Sequence, residues 1–221
     1  AKPGWTDPLL PSHSGEVEHV RVARAMLAKA GNTEQLYECG PHWPSERETA
    51  NSMLRSGAKP AAIHNNCSGK HAGMLALARI LGADPHGYSG VDHPVQKAIA
   101  ARIGEHCGID LAAQPCGIDG CSVPTWAMPL RALALGFARF TDPANAAARR
   151  IIASVKAYPF MVAGTGRFCT RLMTAVRRAF VKTGAEGVFC ACVPHAGIGV
   201  ALKCDDGAGR AAEVSIAALL A

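Results

Sequence analysis

Residues 179–204, with the sequence AFVKTGAEGVFCACVPHAGIGVALKC, decide the fold class that we expect for this chain. Three β-rich runs are separated by the turn-forming stretches GAEG and PHAG. Short connections that contain glycine join neighbouring antiparallel strands. We therefore predict an antiparallel meander with strands at 179–182, 188–193 and 198–204.

Outside the meander, apolar residues recur at the three- and four-residue spacing of helices, as Val17, Val20 and Leu27 do. The stretches that we predict to be helical are 16–30, 46–54, 71–81, 95–106, 130–140, 144–157 and 210–220. Helices packed on an antiparallel sheet form an α+β domain. The chain has no internal repeat and no interdomain linker, so we predict one domain over residues 1–221.

Two of these helices begin near residues that can cap a helix N-terminus. Ser12 or Ser14 precedes the first helix and is expected to accept a hydrogen bond from its unpaired backbone N–H groups. Asp142 is expected to cap the helix at 144–157, with Pro143 at its first position.

Composition excludes several classes of protein. The net charge is +6, but the basic residues are scattered and form no stripe interleaved with aromatics, so we expect no nucleic-acid partner. No apolar run approaches the roughly 20 residues of a membrane span, and residues 1–10 lack the apolar stretch of a signal peptide. Nine cysteines at irregular spacing favour reduced thiols. We therefore expect a cytoplasmic protein.

One candidate metal site combines Cys67 and Lys70, at the start of a predicted helix, with Cys121 in a polar loop. The helix dipole and Lys70 both lower the pKa of a thiol, and two thiolates with a nitrogen suit tetrahedral zinc. Lysine binds metal only when neutral, and a cysteine beside a helix is more often a buried small residue. The alternative nitrogen ligands are His64, His71 and His93.

A second candidate is the Lys182-Thr183-Gly184 triplet at the end of a predicted strand. Penicillin-recognising serine enzymes carry such a triplet beside a nucleophilic serine. Ser56 and Lys59 have the Ser-x-x-Lys spacing, but the following proline disfavours the required helix. The remaining hypothesis is that Ser12 gives its proton to a neutral Lys182, which competes with the capping role of Ser12.

Five motifs carry a resemblance to a known family. The chain resembles the rhizobial-type, inducible and thermolabile L-asparaginases from about Ser12 to Ala221, with the motifs in the same order and spacing. The motifs are CGPHWP at 39–44, HNNCSGKHAGM at 64–74, PFMVAGTGRF at 159–168, KTGAEGV at 182–188 and KCDDG at 203–207.

The resemblance implies an amidohydrolase that converts L-asparagine to L-aspartate and ammonia. It implies a fold similar to serine β-lactamases and glutaminases, and a homodimer. It also implies a zinc site at the positions of Cys67, Lys70 and Cys121. The residues that we assign to substrate binding are His71, Asp119 and Glu186.

In the family two Ser/Lys pairs converge on the substrate, and the pair nearer the N-terminus holds the nucleophile. The second pair matches Ser12 and Lys182, while none of the eleven residues before Ser12 is a serine. We therefore expect a member shortened at both ends whose turnover is impaired. The alternative is a non-catalytic metal- or amino-acid-binding remnant of the enzyme.

Overall fold

The structure, a computed structural model, describes residues 12–221. Residues 1–11, to which the predictions about a signal peptide and a missing serine refer, lie outside this range. The described chain forms helices and two small antiparallel sheets, which confirms the α+β class. The helices are α1 Val17–Lys29, α2 Arg47–Arg55, α3 Ser68–Leu81, α4 Pro94–Cys107, α5 Leu130–Arg139, α6 Ala146–Ala157, α7 Pro159–Ala163, α8 Phe168–Ala175 and α9 Gly209–Leu220. The strands are β1 Cys116–Ile118, β2 Pro124–Trp126, β3 Phe180–Thr183, β4 Val188–Val193 and β5 Ile198–Lys203.

The chain divides into two compact units. The first contains the described residues up to 100 together with 115–126 and 160–165. The second contains 101–114, 127–159 and 166–221. The single domain over residues 1–221 stays a prediction.

The predicted meander forms the sheet of the second unit. Strand β4 lies between β3 and β5 and pairs antiparallel with both, which confirms the topology predicted from the two turn-forming stretches. Helices α5 and α9 pack on this sheet. Helix α5 approaches closely at Gly199, where a Cβ atom would overlap the backbone of Ala134 and Ala138. Glycine at this position lets the helix contact the strand directly.

The first unit is built around α1 and α3, which pack against each other. Their apolar faces bury Leu27 and Leu75 in a core that also contains Ile63, Tyr88 and Val95. The β1–β2 hairpin joins this core through Cys121 and Val123, two side chains of its turn. As a result, the start of α3 and the hairpin turn lie at the edge of one packed core.

Both capping predictions are wrong. Helix α1 begins after Glu16, and no side chain caps it, because Ser14 Oγ instead donates to Ala163 O at 2.6 Å. Helix α6 is capped by Asn145, whose side chain accepts from Ala148 N at 3.0 Å. Asp142 accepts from a backbone N–H within the preceding turn. The β1–β2 hairpin and the short helices α7 and α8 were not predicted from the sequence.

Candidate functional site

Three potential metal ligands meet at the edge of the first unit's core. The ligand atoms of Cys67, Asp119 and Cys121 all lie within 4.8 Å of one another. Cys67 precedes the first residue of α3, while Asp119 and Cys121 lie in the β1–β2 turn. That turn is closed by hydrogen bonds from Asp119 N to Val123 O and from Ser122 N to Asp119 O, each 2.8 Å. Helix start and hairpin turn together place both thiols beside one carboxylate.

The two thiols differ in their protonation. A hydrogen bond from Cys121 lowers the pKa of Cys67 to about 7, against the opposing effect of burial. The same hydrogen bond, with burial, raises the pKa of Cys121 to about 12. Asp119 Oδ2 lies 3.1 Å from Cys121 Sγ and is a second acceptor for the same thiol proton. Above about pH 7 the cluster therefore holds mainly a Cys67 thiolate, a Cys121 thiol and the Asp119 carboxylate.

Lys70 belongs to the same cluster. Its Nζ atom lies 3.5 Å from Asp119 Oδ2. Burial disfavours its charged form, but Cys67, Cys121 and Asp119 outweigh burial and raise the pKa of the ammonium. Lys70 is therefore a cation in the metal-free cluster, and it can ligate a metal only by losing a proton.

His71 and Tyr88 lie behind the cluster, and both are fully buried. The Tyr88 hydroxyl accepts from Glu38 N at 3.0 Å and lies 2.6 Å from His71 Nδ1. Within the described residues His71 Nε2 is buried without a hydrogen-bond partner. The imidazole is close enough to Cys121 to oppose the rise in the pKa of that thiol. A buried nitrogen near the Cys121 sulfur fits a site for a cation that thiolates prefer.

Residues 12–16, the Ser12 segment, are held by hydrogen bonds to two other parts of the first unit. On one side His13 N donates to Asn66 O at 3.0 Å, directly before Cys67. On the other side Glu16 accepts from the backbone N and the hydroxyl of Thr165 at 2.8 and 2.6 Å. Ser12 itself is half-buried, whereas the four residues after it are buried. The backbone around Ser12 is therefore held by the core.

Gly164 allows residues 14–16 to approach residues 163–165 closely, and replacing it gives a testable prediction. It has φ of +123°, and a Cβ atom there would overlap Ser14 Oγ and Glu16 Oε1. Gly164→Ala is expected to lower the free energy of unfolding by about 2–5 kcal/mol, from backbone strain and overpacking together. Urea denaturation measures the change. The matched control is Gly31→Ala, where φ is +67° but no atom lies near, with an expected loss of about 1–2 kcal/mol. Equal losses in both variants would contradict the predicted steric contribution.

Lys182 and Glu186 lie in the second unit, at the first turn of the meander. Lys182 is half-buried on β3, and its Nζ atom donates to the carbonyl of Thr183. Glu186 is exposed in the β3–β4 turn with φ of +52°. Burial raises the pKa of Cys169, and the nearby Lys182 opposes this rise. The pairing of Ser12 with Lys182 and the substrate-binding role of Glu186 stay predictions.

The structure thus brings five of the eight predicted site residues together: Cys67, Lys70, His71, Asp119 and Cys121. The buried polar residues that support this cluster were not predicted from the sequence. These are His13, which contacts Ser68 at 2.9 Å, and Tyr88. The only sequence feature that pointed to His13 was its position next to Ser12, and no feature pointed to Tyr88.

Helices in residues 12–221 are all too short or too polar to serve as membrane spans. A search among curated proteins found no match to the chain. The family model described as L-asparaginase II matches residues 9–221, which is nearly the whole sequence. This match covers both the Cys67–Cys121 cluster and the meander that carries Lys182, and it shows that the chain belongs to the L-asparaginase II family.

Proposed function

We propose that this chain hydrolyses the side-chain amide of L-asparagine to L-aspartate and ammonia. The observation that carries the proposal is the family match over residues 9–221. The resemblance of the five sequence motifs to rhizobial-type enzymes supports asparagine as the substrate. By the same resemblance we propose a homodimer. The nine cysteines, all within the described chain, are free thiols, and this supports the cytoplasmic location that we propose from the composition.

The proposed chemistry uses a serine and a neutral lysine. The serine hydroxyl transfers its proton to the lysine amine, and the alkoxide attacks the amide carbon. Ammonia leaves as the tetrahedral intermediate collapses, and water then releases aspartate from the acyl-enzyme. We assign Ser12 and Lys182 to the second of the two Ser/Lys pairs; by the resemblance, the nucleophile belongs to the first pair. The buried surroundings of residues 13–16 support this role for Ser12, because a fixed backbone limits the positions that its hydroxyl can take.

Zinc is the metal that the cluster fits best. Cys67, Cys121 and Lys70 would hold it, as the resemblance implies, with Asp119 as the competing oxygen ligand. The fit rests on two thiols beside a carboxylate and on the unpartnered His71 Nε2. Bound zinc supplies positive charge that keeps both sulfurs deprotonated and fixes the hairpin turn to the start of α3.

The proposed substrate-binding residues differ in their exposure. Asp119 and Glu186 offer carboxylates that can pair with the α-ammonium group of the substrate, and neither is buried. His71 is fully buried, so we propose that it acts through the neighbouring Cys121.

Ammonia release from L-asparagine by the purified 221-residue chain tests the proposed activity, with zinc content measured on the same sample. Turnover that scales with enzyme concentration supports the proposal. A folded, zinc-loaded chain that releases no ammonia would falsify it.

A second candidate function is a metal- or amino-acid-binding protein without turnover. The observation that favours it is the position of the cluster, since Cys67, Lys70, Asp119 and Cys121 all lie in the first unit. This candidate predicts that asparagine raises the melting temperature without ammonia release, because a ligand that binds only the folded state stabilises it.

Proton release on zinc binding distinguishes the two ligand sets. At pH 8 the Cys67 thiol is already largely ionised, since its pKa is lowered to about 7. Coordination by Cys121 and Lys70 must then displace one proton from each, so zinc affinity is expected to rise about tenfold per pH unit for each of these two protons. Below pH 7 the dependence steepens, because Cys67 must also ionise.

Calorimetry in two buffers with different ionisation enthalpies counts the released protons. Two protons at pH 8 support Lys70 as the third ligand. Release of a single proton would assign that position to Asp119, whose carboxylate is already ionised, because Cys121, Lys70 and a backbone N–H hold the pKa of Asp119 low against the effect of burial.

A further inference from the structure

His13 is a fully buried histidine that the proposed chemistry does not use. Its ring stacks on His19, with ring centroids 4.9 Å apart, and His19 stacks in turn on Phe160 at 4.6 Å. Burial, with the neighbouring His19, lowers the pKa of His13 to about 3. His13 is therefore neutral at physiological pH, and its packing fixes the plane of the ring.

The hydrogen bonds of His13 also define its tautomer. Gly15 N donates to Nδ1 at 3.1 Å, and a backbone N–H can only donate. Nδ1 therefore carries no proton, and the single ring proton lies on Nε2. That nitrogen is 2.9 Å from Ser68 Oγ, so His13 donates to the serine hydroxyl.

Ser68 connects His13 to the metal cluster. It is the first residue of α3, it is fully buried, and it follows Cys67 directly. His13 thus contacts the start of α3 twice, through its ring at Ser68 and through its backbone N–H at Asn66 O. Between these two contacts lies Cys67, a proposed zinc ligand.

The geometry assigns a positioning role to His13: through its hydrogen bond to Ser68 it couples the placement of Ser12 to metal occupancy at Cys67, Lys70 and Cys121. This inference rests on the proposed function for the roles of Ser12 and the cluster. Two sites that bias one shared element are coupled reciprocally, so zinc orders the Ser12 segment and an ordered segment favours zinc.

Amide hydrogen exchange of the full chain, with and without zinc, measures this coupling. In the wild type, zinc is expected to slow exchange at His13 by about 5-fold or more, within the usual range of couplings between sites. His13→Asn keeps an acceptor near the position of Nδ1 but cannot reach Ser68, so the slowing should fall to the part that the backbone bond from residue 13 to Asn66 O transmits. His13→Gln places an amide donor near the position of Nε2 and should retain it.

Ser68→Ala removes the acceptor with a small structural change and covers the case in which His13→Asn fails to fold. It should reduce the zinc effect to the same extent, and the double variant should add nothing further. The matched control is His19→Gln, which alters the stack but not the Ser68 contact. That control is expected to lower the melting temperature while the exchange response to zinc persists.

The outcomes separate this inference from the proposed activity. Zinc-dependent slowing that is reduced in His13→Asn and Ser68→Ala but kept in His13→Gln supports it, even where the chain releases no ammonia. A folded chain that releases no ammonia would refute only the proposed hydrolysis. The inference is overturned by a wild-type chain that binds no zinc, by zinc binding without slower exchange at His13, or by an unchanged response in Ser68→Ala.

Discussion

Lys182→Gln is expected to lower kcat for ammonia release by about 10²–10⁴-fold, the usual contribution of a positioned proton-transfer group. Glutamine is close to lysine in length and polarity, but it cannot accept the proton of a serine hydroxyl. Lys182 is half-buried on β3, in the antiparallel meander. Steady-state kinetics with L-asparagine measure the change, and KM is expected to move much less than kcat.

The matched control for this variant is Lys156→Gln. Lys156 is an exposed lysine on α6 in the same unit, and its replacement should leave kcat unchanged. Ser12→Ala is the partner experiment, and removing both residues should cost little more than removing one, because members of a catalytic unit are not additive. Full activity in Lys182→Gln would remove this lysine from the proposed mechanism.

Cys67→Ala is expected to weaken zinc binding by more than about 100-fold, because residues that merely orient a metal ligand already contribute about 10–100-fold. Cys67 is also the thiol of the cluster that ionises most easily, since Cys121 lowers its pKa to about 7. Competition with a chromophoric chelator measures the affinity. Loss of the zinc-induced rise in melting temperature is the second readout.

Cys116→Ala is the control, because Cys116 is an exposed thiol on β1, in the same hairpin as Cys121, but lies outside the cluster. Its replacement should leave zinc affinity within about twofold of the wild type, since surface substitutions usually change free energies by no more than 0.5 kcal/mol. Wild-type affinity in Cys67→Ala would show that the ion binds elsewhere.

The meander was predictable because its signals are local. Each strand is a short apolar run, and each connection contains glycine, so pattern and turn chemistry agree. The same holds for α3, where the apolar spacing and Gly82 at its end define the helix, and Gly82 does adopt the left-handed conformation. The α+β class followed from these elements alone.

The elements that the sequence did not reveal depend on distant contacts. Ser14 looks like a helix cap, but its hydroxyl bonds to Ala163, which is 149 residues away in the chain. Strands β1 and β2 have three residues each, too few for a periodic pattern. Two residues that can cap a helix, Asp142 and Asn145, precede α6. Asn145 is the N-cap, and Asp142 instead accepts a hydrogen bond within the preceding turn.

The metal cluster was predicted in part from physics, since Cys67 precedes a helix with Lys70 one turn on. Cys121 was a candidate only as a second thiol that could meet Cys67 in space, and the resemblance then gave it as a ligand, because nothing local relates residues 67 and 121. The support from His13 and Tyr88 could not be predicted, since a buried histidine or tyrosine has the same sequence signature as an exposed one. The pairing of Ser12 with Lys182 stays a prediction of the resemblance.

The hydrogen bonds that hold residues 12–16 to two distant parts of the chain affect when this segment folds. This segment is synthesised before Ala163 and Thr165, two of its partners, which are made about 150 residues later. At synthesis rates of about 5–20 residues per second, that delay is about 7–30 s. Glu16 and Ser14 spend this time hydrogen-bonded to water, and contacts so distant in sequence form slowly even afterwards. The Ser12 segment is therefore expected to be among the last parts of the first unit to reach its native conformation.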